Sequence, residues 1–161
     1  MSIDRAELHD MFATASLGSP RHAIGFVLWR VTHRYERELE QALRPLDLTH
    51  LQFTLLALVA WTQKQGGMPS QAELARAGDI HVMQVSKVLK ALEAKALIVR
   101  SVAERNSTAK SVTLSVEGME RLRMAFPIAI DVQHRLFGEA GRPGGALLTG
   151  LIDVEVANNQ G

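Results

Sequence analysis

Residues 82–95 carry two kinds of side chain at helical spacing. Val85, Val88, Leu89 and Leu92 recur at i, i+3, i+4 and i+7, which gathers them on one buried helix face. Met83, Gln84, Ser86, Lys87 and Lys90 are left outside. That outer set suits the major groove of double-stranded DNA. Gln pairs with an adenine edge, Lys with guanine or phosphate, Ser with either, and Met touches a thymine methyl. An ordinary solvated helix face has a similar composition, so the neighbouring segments have to decide between the two.

Local charge favours the first reading. The chain of 161 residues holds 18 Lys plus Arg against 17 Asp plus Glu, a formal charge of +1. Such a balance argues against a polybasic coating protein that binds through gross charge. The distribution is uneven, however. Residues 81–115 contain Lys87, Lys90, Lys95, Arg100, Arg105 and Lys110 against Glu93 and Glu104, a local +4 that leaves −3 elsewhere. Basic charge on the segment that would meet phosphates is the footprint of a DNA binder. Ser70 and Gln71 open the preceding short helix, where free N–H groups can hold a phosphate, although Ser70 also suits the plain role of helix cap.

These residues need elements to position them. Residues 1–18 read as an arm with a weak helix, and Ser19-Pro20 as the start of a helix over 21–43. The first half of that helix is apolar nearly all round, which requires cover on more than one side and hints at a second subunit. Arg44-Pro45 ends it, and Asp47-Leu48-Thr49 opens a buried helix to about Gln63. Gly66-Gly67 stops that one, a short helix covers 71–77, and Gly78-Asp79 makes a tight break before helix 82–95. Two strand-like runs follow, 97–102 and 111–114, joined by polar residues 103–110. Alone they are too little sheet to be stable; Val99 or Val102 with Val112 or Leu114 is expected to pack on the helices. Ser115 caps a helix from Val116 to about Phe137 that Pro127 is expected to kink, and 146–156 form a last helix. The expected fold is mainly α with a small β-hairpin, a winged helix-turn-helix between terminal dimerisation helices.

At this level of detail the chain resembles the MarR family of winged-helix transcriptional regulators, from about residue 20 onward. Leu48-Thr49 with Gln52-Phe53 is similar to the helix opening that precedes the family's reading head. The run from Ser70 to Gly78 resembles its first helix-turn-helix element, and Val85 to Glu93 followed by Ala96-Leu97-Ile98 its recognition helix and first wing strand. Val112 to Gly118 resembles its second wing strand and next helix start. The resemblance implies an obligate homodimer with interlocked terminal helices, reading a pseudo-palindromic operator and acting as a repressor. It divides the chain into an arm (1–20), a dimerisation region (21–47 and 116–161) and a reading head (48–115) within one intertwined domain. The wing departs from the pattern. Many members carry Asp-x-Arg-Ala-Lys where this chain has Asn106-Ser107-Thr108-Ala109-Lys110. The missing arginine implies weaker or differently specific wing contacts, with Arg105 or Lys110 taking over.

The family often senses small anionic aromatic molecules between its dimerisation helices and reading head. The resemblance puts Trp29, His33, Phe53 and Met124 around such a pocket, with His22, Phe26, Trp29 and His33 expected on one helical face. Plain dimer core is the competing use of that stripe. Other functions find little support. With no cysteine there is no thiol redox sensing, thiolate zinc site or cysteine nucleophile. The six histidines form no HExxH-type pair, and no Gly-x-Ser-x-Gly or phosphate loop is present. No enzyme, metal or cofactor is expected. The remaining competitor is a winged-helix adaptor that works through protein contacts alone. Acidic residues Asp4, Glu7 and Asp10 do not suit a secretory signal, and the apolar runs are too short to span a membrane, so a cytoplasmic protein is expected.

Overall fold

The structure is a computed structural model that describes residues 3–102 and 110–158. In chain order it contains α1 (Arg5–Ala15), a 3-10 turn (Pro20–His22), α2 (Ile24–Leu43), α3 (His50–Lys64), α4 (Gln71–Ala77), α5 (Val82–Ala94), β1 (Ile98–Val102), β2 (Lys110–Leu114), α6 (Val116–Phe137) and α7 (Ala146–Asn158). Two compact units meet between Glu38 and Leu39, a boundary that falls inside α2.

The N-terminal unit holds α1 and most of α2. The arm is helical, and the Asp4 carboxylate accepts from the Ala6 N–H at 3.2 Å to cap α1. The helix expected from residue 21 starts later. Ser19 and Pro20 open only a short turn, and Ala23 is extended at φ −84°, ψ 103°, so α2 begins at Ile24. His22 therefore lies off the α2 face it was expected to share. Its Nδ1 meets the Leu17 carbonyl at 2.9 Å.

The C-terminal unit is built around a closed apolar core. Leu39 and Leu43 from the end of α2, Leu55, Leu56 and Val59 of α3, Leu74 of α4, and Leu122, Ala125, Ala129 and Val132 of α6 are all buried. Val85, Leu89 and Leu92 of α5 join them, the i, i+4, i+7 face that the sequence pattern marks. Local capping fixes where the helices begin. Thr49 and Gln52 form a reciprocal capping box at α3, and Ser70 and Glu73 another at α4. Ser115 caps α6, which runs on through Pro127.

β1 and β2 pair antiparallel, Ile98 opposite Leu114, Arg100 opposite Val112 and Val102 opposite Lys110. Ile98 and Val112 are buried while Val99 is 52% exposed, so Val99 does not belong to the inward face. Leu97, just before the strand, is fully buried, and the register puts Ile98 and Arg100 on the side of Val112, while the Val102 side chain lies outside the described residues. The hairpin is anchored at several points. The Val112 N–H donates to the Pro69 carbonyl at 2.9 Å, Ser70 and Ser111 form a bridge, and the Leu114 N–H donates to Gln63 Oε1 at 2.7 Å. α6 leaves its base at close quarters, since a Cβ at Gly118 would run into the Leu97 carbonyl.

Candidate nucleic-acid interface

α5 presents its two faces in opposite directions. Its core face is closed by Val85, Leu89 and Leu92, whereas Met83 is 69% exposed and Gln84, Lys87 and Lys90 are exposed as well. Ser86 and Val88 lie between the two conditions. At 100° per residue Met83, Lys87 and Lys90 fall on one stripe, flanked by Gln84 and Ser86. The helix opens with a device that the sequence pattern did not mark. His81 stands at the cap position, and its Nδ1 accepts from the Met83 N–H at 3.3 Å. Histidine is an uncommon cap, so only its place immediately before the periodic run could have drawn attention to it.

The two residues that open α4 are already engaged. Ser70 donates both its N–H and its hydroxyl to Glu73 Oε2 at 2.7 Å, and its Oγ accepts from the Glu73 N–H at 3.3 Å. The Ser70 backbone N–H, and then its hydroxyl, hold the Glu73 carboxyl below its usual range. Gln71 uses both ends of its amide, donating from Nε2 to the Val82 carbonyl at 3.2 Å and accepting at Oε1 from Arg100 at 3.4 Å.

The local basic charge turns out to be divided between inside and outside. Lys95 points inward and donates to the Asp47 carbonyl at 2.5 Å and to Gln52 Oε1 at 3.1 Å, with the Asp47 carboxylate also 3.1 Å away. Arg100 is 14% exposed along its side chain and faces Glu93 and Gln71. Both cations join parts of the fold together. Lys87 and Lys90 remain as the outward cations of α5. Arg105 lies outside the described residues. Lys110 opens β2 opposite Val102, and its side chain is likewise outside them.

The residues expected around an effector fall into both units. In the N-terminal unit, the Trp29 and His33 rings are 4.5 Å apart and tilted by 43°, and Trp29 stacks on Phe26 at 6.2 Å. His33 Nδ1 lies 2.8 Å from the Trp29 carbonyl, which can only accept, so Nδ1 carries the hydrogen. These rings line a groove of about 670 Å³ together with Arg21, Arg30, Arg34, Arg37 and Glu38, the last paired with Arg34 at 3.0 Å. In the C-terminal unit, Phe53 is buried edge-on against Phe126 at 5.8 Å, and Met124 is exposed.

A three-helix reading head with an exposed polar stripe on its last helix, followed by an anchored hairpin, defines a winged helix-turn-helix protein. YdcH of Bacillus subtilis, named as an uncharacterized HTH-type transcriptional regulator, is 31% identical over 134 residues, 83% of this chain and 88% of that one. The chain belongs to the MarR family of winged helix-turn-helix transcriptional regulators. The fold is shared with a mutant MarR from E. coli solved with operator DNA (TM-score 0.69, 18% identity, 83% of this chain and 93% of that one). It is also shared with CouR from Rhodococcus jostii RHA1 bound to p-coumaroyl-CoA (TM-score 0.71, 22% identity, 84% and 91%). No family model matches the chain. The family is one of regulators and not of catalysts, and no helix among the described residues is long and apolar enough to cross a membrane.

Proposed function

We propose that the chain acts as a homodimeric repressor that reads a pseudo-palindromic operator and is released by a small aromatic anion. The observation that carries this reading is the outward stripe of α5, polar and basic, backed directly by a fully buried apolar face. Met83, Gln84, Ser86, Lys87 and Lys90 meet base edges and phosphates, and the wing, with Arg105 and Lys110, lies along the backbone or minor groove. Two heads on one dimer fit half-sites about one helical turn, roughly 34 Å, apart.

Dimerisation is supported by the apolar surface of the terminal helices. Ile24 is 75% exposed, and Phe26, Val27, Leu28, Trp29 and Val31 of α2 are exposed with it, as are Leu147, Leu151, Ile152, Val154 and Val156 of α7. Large apolar side chains exposed in such number on each of these helices mark interaction sites. The effector reading is supported by the groove on α2. Trp29 and His33 offer rings for stacking, and Arg21, Arg30 and Arg37 beside them favour an anion, while Arg34 pairs with Glu38 of the same lining. CouR, which shares the fold, is bound to p-coumaroyl-CoA, an aromatic and anionic molecule.

A mobility-shift titration against DNA upstream of the protein's own gene, at several salt concentrations, tests the proposal. Binding that weakens steeply with salt is expected, since each neutralised phosphate releases counterions. No salt-dependent binding would favour an adaptor that works through protein contacts. Addition of salicylate or benzoate is expected to dissociate the complex if an aromatic anion is the releasing signal.

A further inference from the structure

We propose that Arg100 is a positioning residue for sequence reading: through Gln71 it fixes the start of α5 against the wing, without itself meeting DNA. The inference rests on the reading of α5 as the helix that enters the groove. Arg100 sits in the middle of β1 opposite Val112, with its side chain turned into the head. Its guanidinium spans two elements. One terminal nitrogen lies 4.0 Å from Glu93 Oε2 near the end of α5, and the other donates to Gln71 Oε1 at the start of α4, 3.4 Å away. Nε is buried and has no hydrogen-bond partner among the described residues.

A guanidinium so loosely matched is a poor device for stability, because burying charge is expensive and an apolar side chain of similar volume would pack there at less cost. Its geometry is better explained by orientation. A guanidinium has only donors, so it forces the Gln71 carbonyl oxygen toward itself and turns the amide nitrogen toward Val82. That nitrogen donates to the carbonyl of Val82, the first residue of α5, at 3.2 Å. The wing strand, the opening of α4 and the opening of α5 are thereby joined by one two-bond strut. The Pro69–Val112 hydrogen bond fixes β2 to the same place, so the start of α5 and the wing are held in one register. Met83 and Gln84 follow Val82 directly, and a small displacement there changes which base edges they reach. A lysine would keep a charge near Glu93, but it has no planar fork with which to bridge both partners.

The test starts with a duplex enriched from a random library by the wild-type protein, set against a scrambled duplex of the same composition. Arg100→Met and Gln71→Met are expected to reduce the ratio of the two affinities by about tenfold. Affinity for the scrambled duplex and the log–log salt slope are expected to stay at wild-type values, because no phosphate contact is lost. Arg100→Lys should fall between them and the wild type. If Arg100→Met weakens both duplexes equally and lowers the salt slope by about one, Arg100 touches a phosphate and the proposal is overturned. An unchanged ratio in Gln71→Met also overturns it, leaving Arg100 a packing role. Gln71 is only half-buried at a helix start, so that variant decides the matter even where Arg100→Met fails to fold. If the wild type enriches no duplex, the groove-reading role of α5 fails first, and the strut has nothing to position.

Discussion

Lys87 lies on the centre of the exposed α5 stripe, between Met83 and Lys90. Lys87→Ala is expected to cost about 1–3 kcal/mol of operator affinity and to relax the sequence preference at one position if the ammonium meets a base. Equal loss on operator and unrelated DNA, read from competition titrations, would assign it to phosphate alone. Gly118 makes a prediction of a different kind. Its missing side chain lets the first turn of α6 lie on the Leu97 carbonyl, so Gly118→Ala should destabilise the head by about 3 kcal/mol, measured by denaturant unfolding. At this scale the sequence was legible for apolar residues and misleading for charged ones. Periodicity alone separates Leu89 from Lys90, because one residue turns a helix by about 100°. The direction of Lys95 depends on Asp47 and Gln52, which are more than forty positions earlier and invisible to any local pattern. Arg100 is hidden for a similar reason, since Gln71 and Glu93 belong to other elements.

At the scale of elements, capping sets the boundaries. The carboxyl of Glu73 is held below its usual range by Ser70, so the folded state favours its charged form. The resulting stability is complete above the unfolded range, about pH 4.3, and is lost as pH falls through that range toward the lowered folded value. Thermal unfolding of Glu73→Gln should therefore approach that of the wild type as the solution is acidified, with its deficit appearing above about pH 5. Equal deficits at low and neutral pH would show that the carboxylate charge has no part in the cap. The capping residues Thr49, Ser70 and Ser115 were readable because serine and threonine before an apolar period have one common use. The late start of α2 was not, since Ser19-Pro20 opens a turn as readily as a helix and only the extended Ala23 separates the two. The break after α4 shows a related limit. Gly78 has an ordinary φ of −100°, whereas Asp79 is left-handed at 48°, so the glycine is the approach point and the aspartate the turn.

For the molecule as a whole, the apolar surfaces of α2 and α7 bear on assembly. Leu151→Glu is expected to shift the proposed dimer toward monomer in sedimentation experiments at micromolar concentration. Operator affinity should fall by at least about a hundredfold, because two tethered heads bind far more tightly than one. A variant that remained dimeric with full affinity would place the interface elsewhere. The order of the elements and the presence of the hairpin were legible because each local signal agreed with the next. The groove on α2 was legible only in part. The Trp29 and His33 rings do lie against each other, but Arg30, Arg34 and Arg37 beside them come from a helix face whose role depends on partners outside the single chain.

The exposed apolar side chains of α2 and of α7 also have a meaning for the cell. If only paired chains grip the operator, then below the pairing constant occupancy follows the square of the subunit concentration. Halving the subunit concentration would cut the gripping species about fourfold, so dilution by growth without new synthesis would act as a threshold on the controlled promoter. Apolar side chains that look like a solubility liability would thus set the concentration at which control switches on.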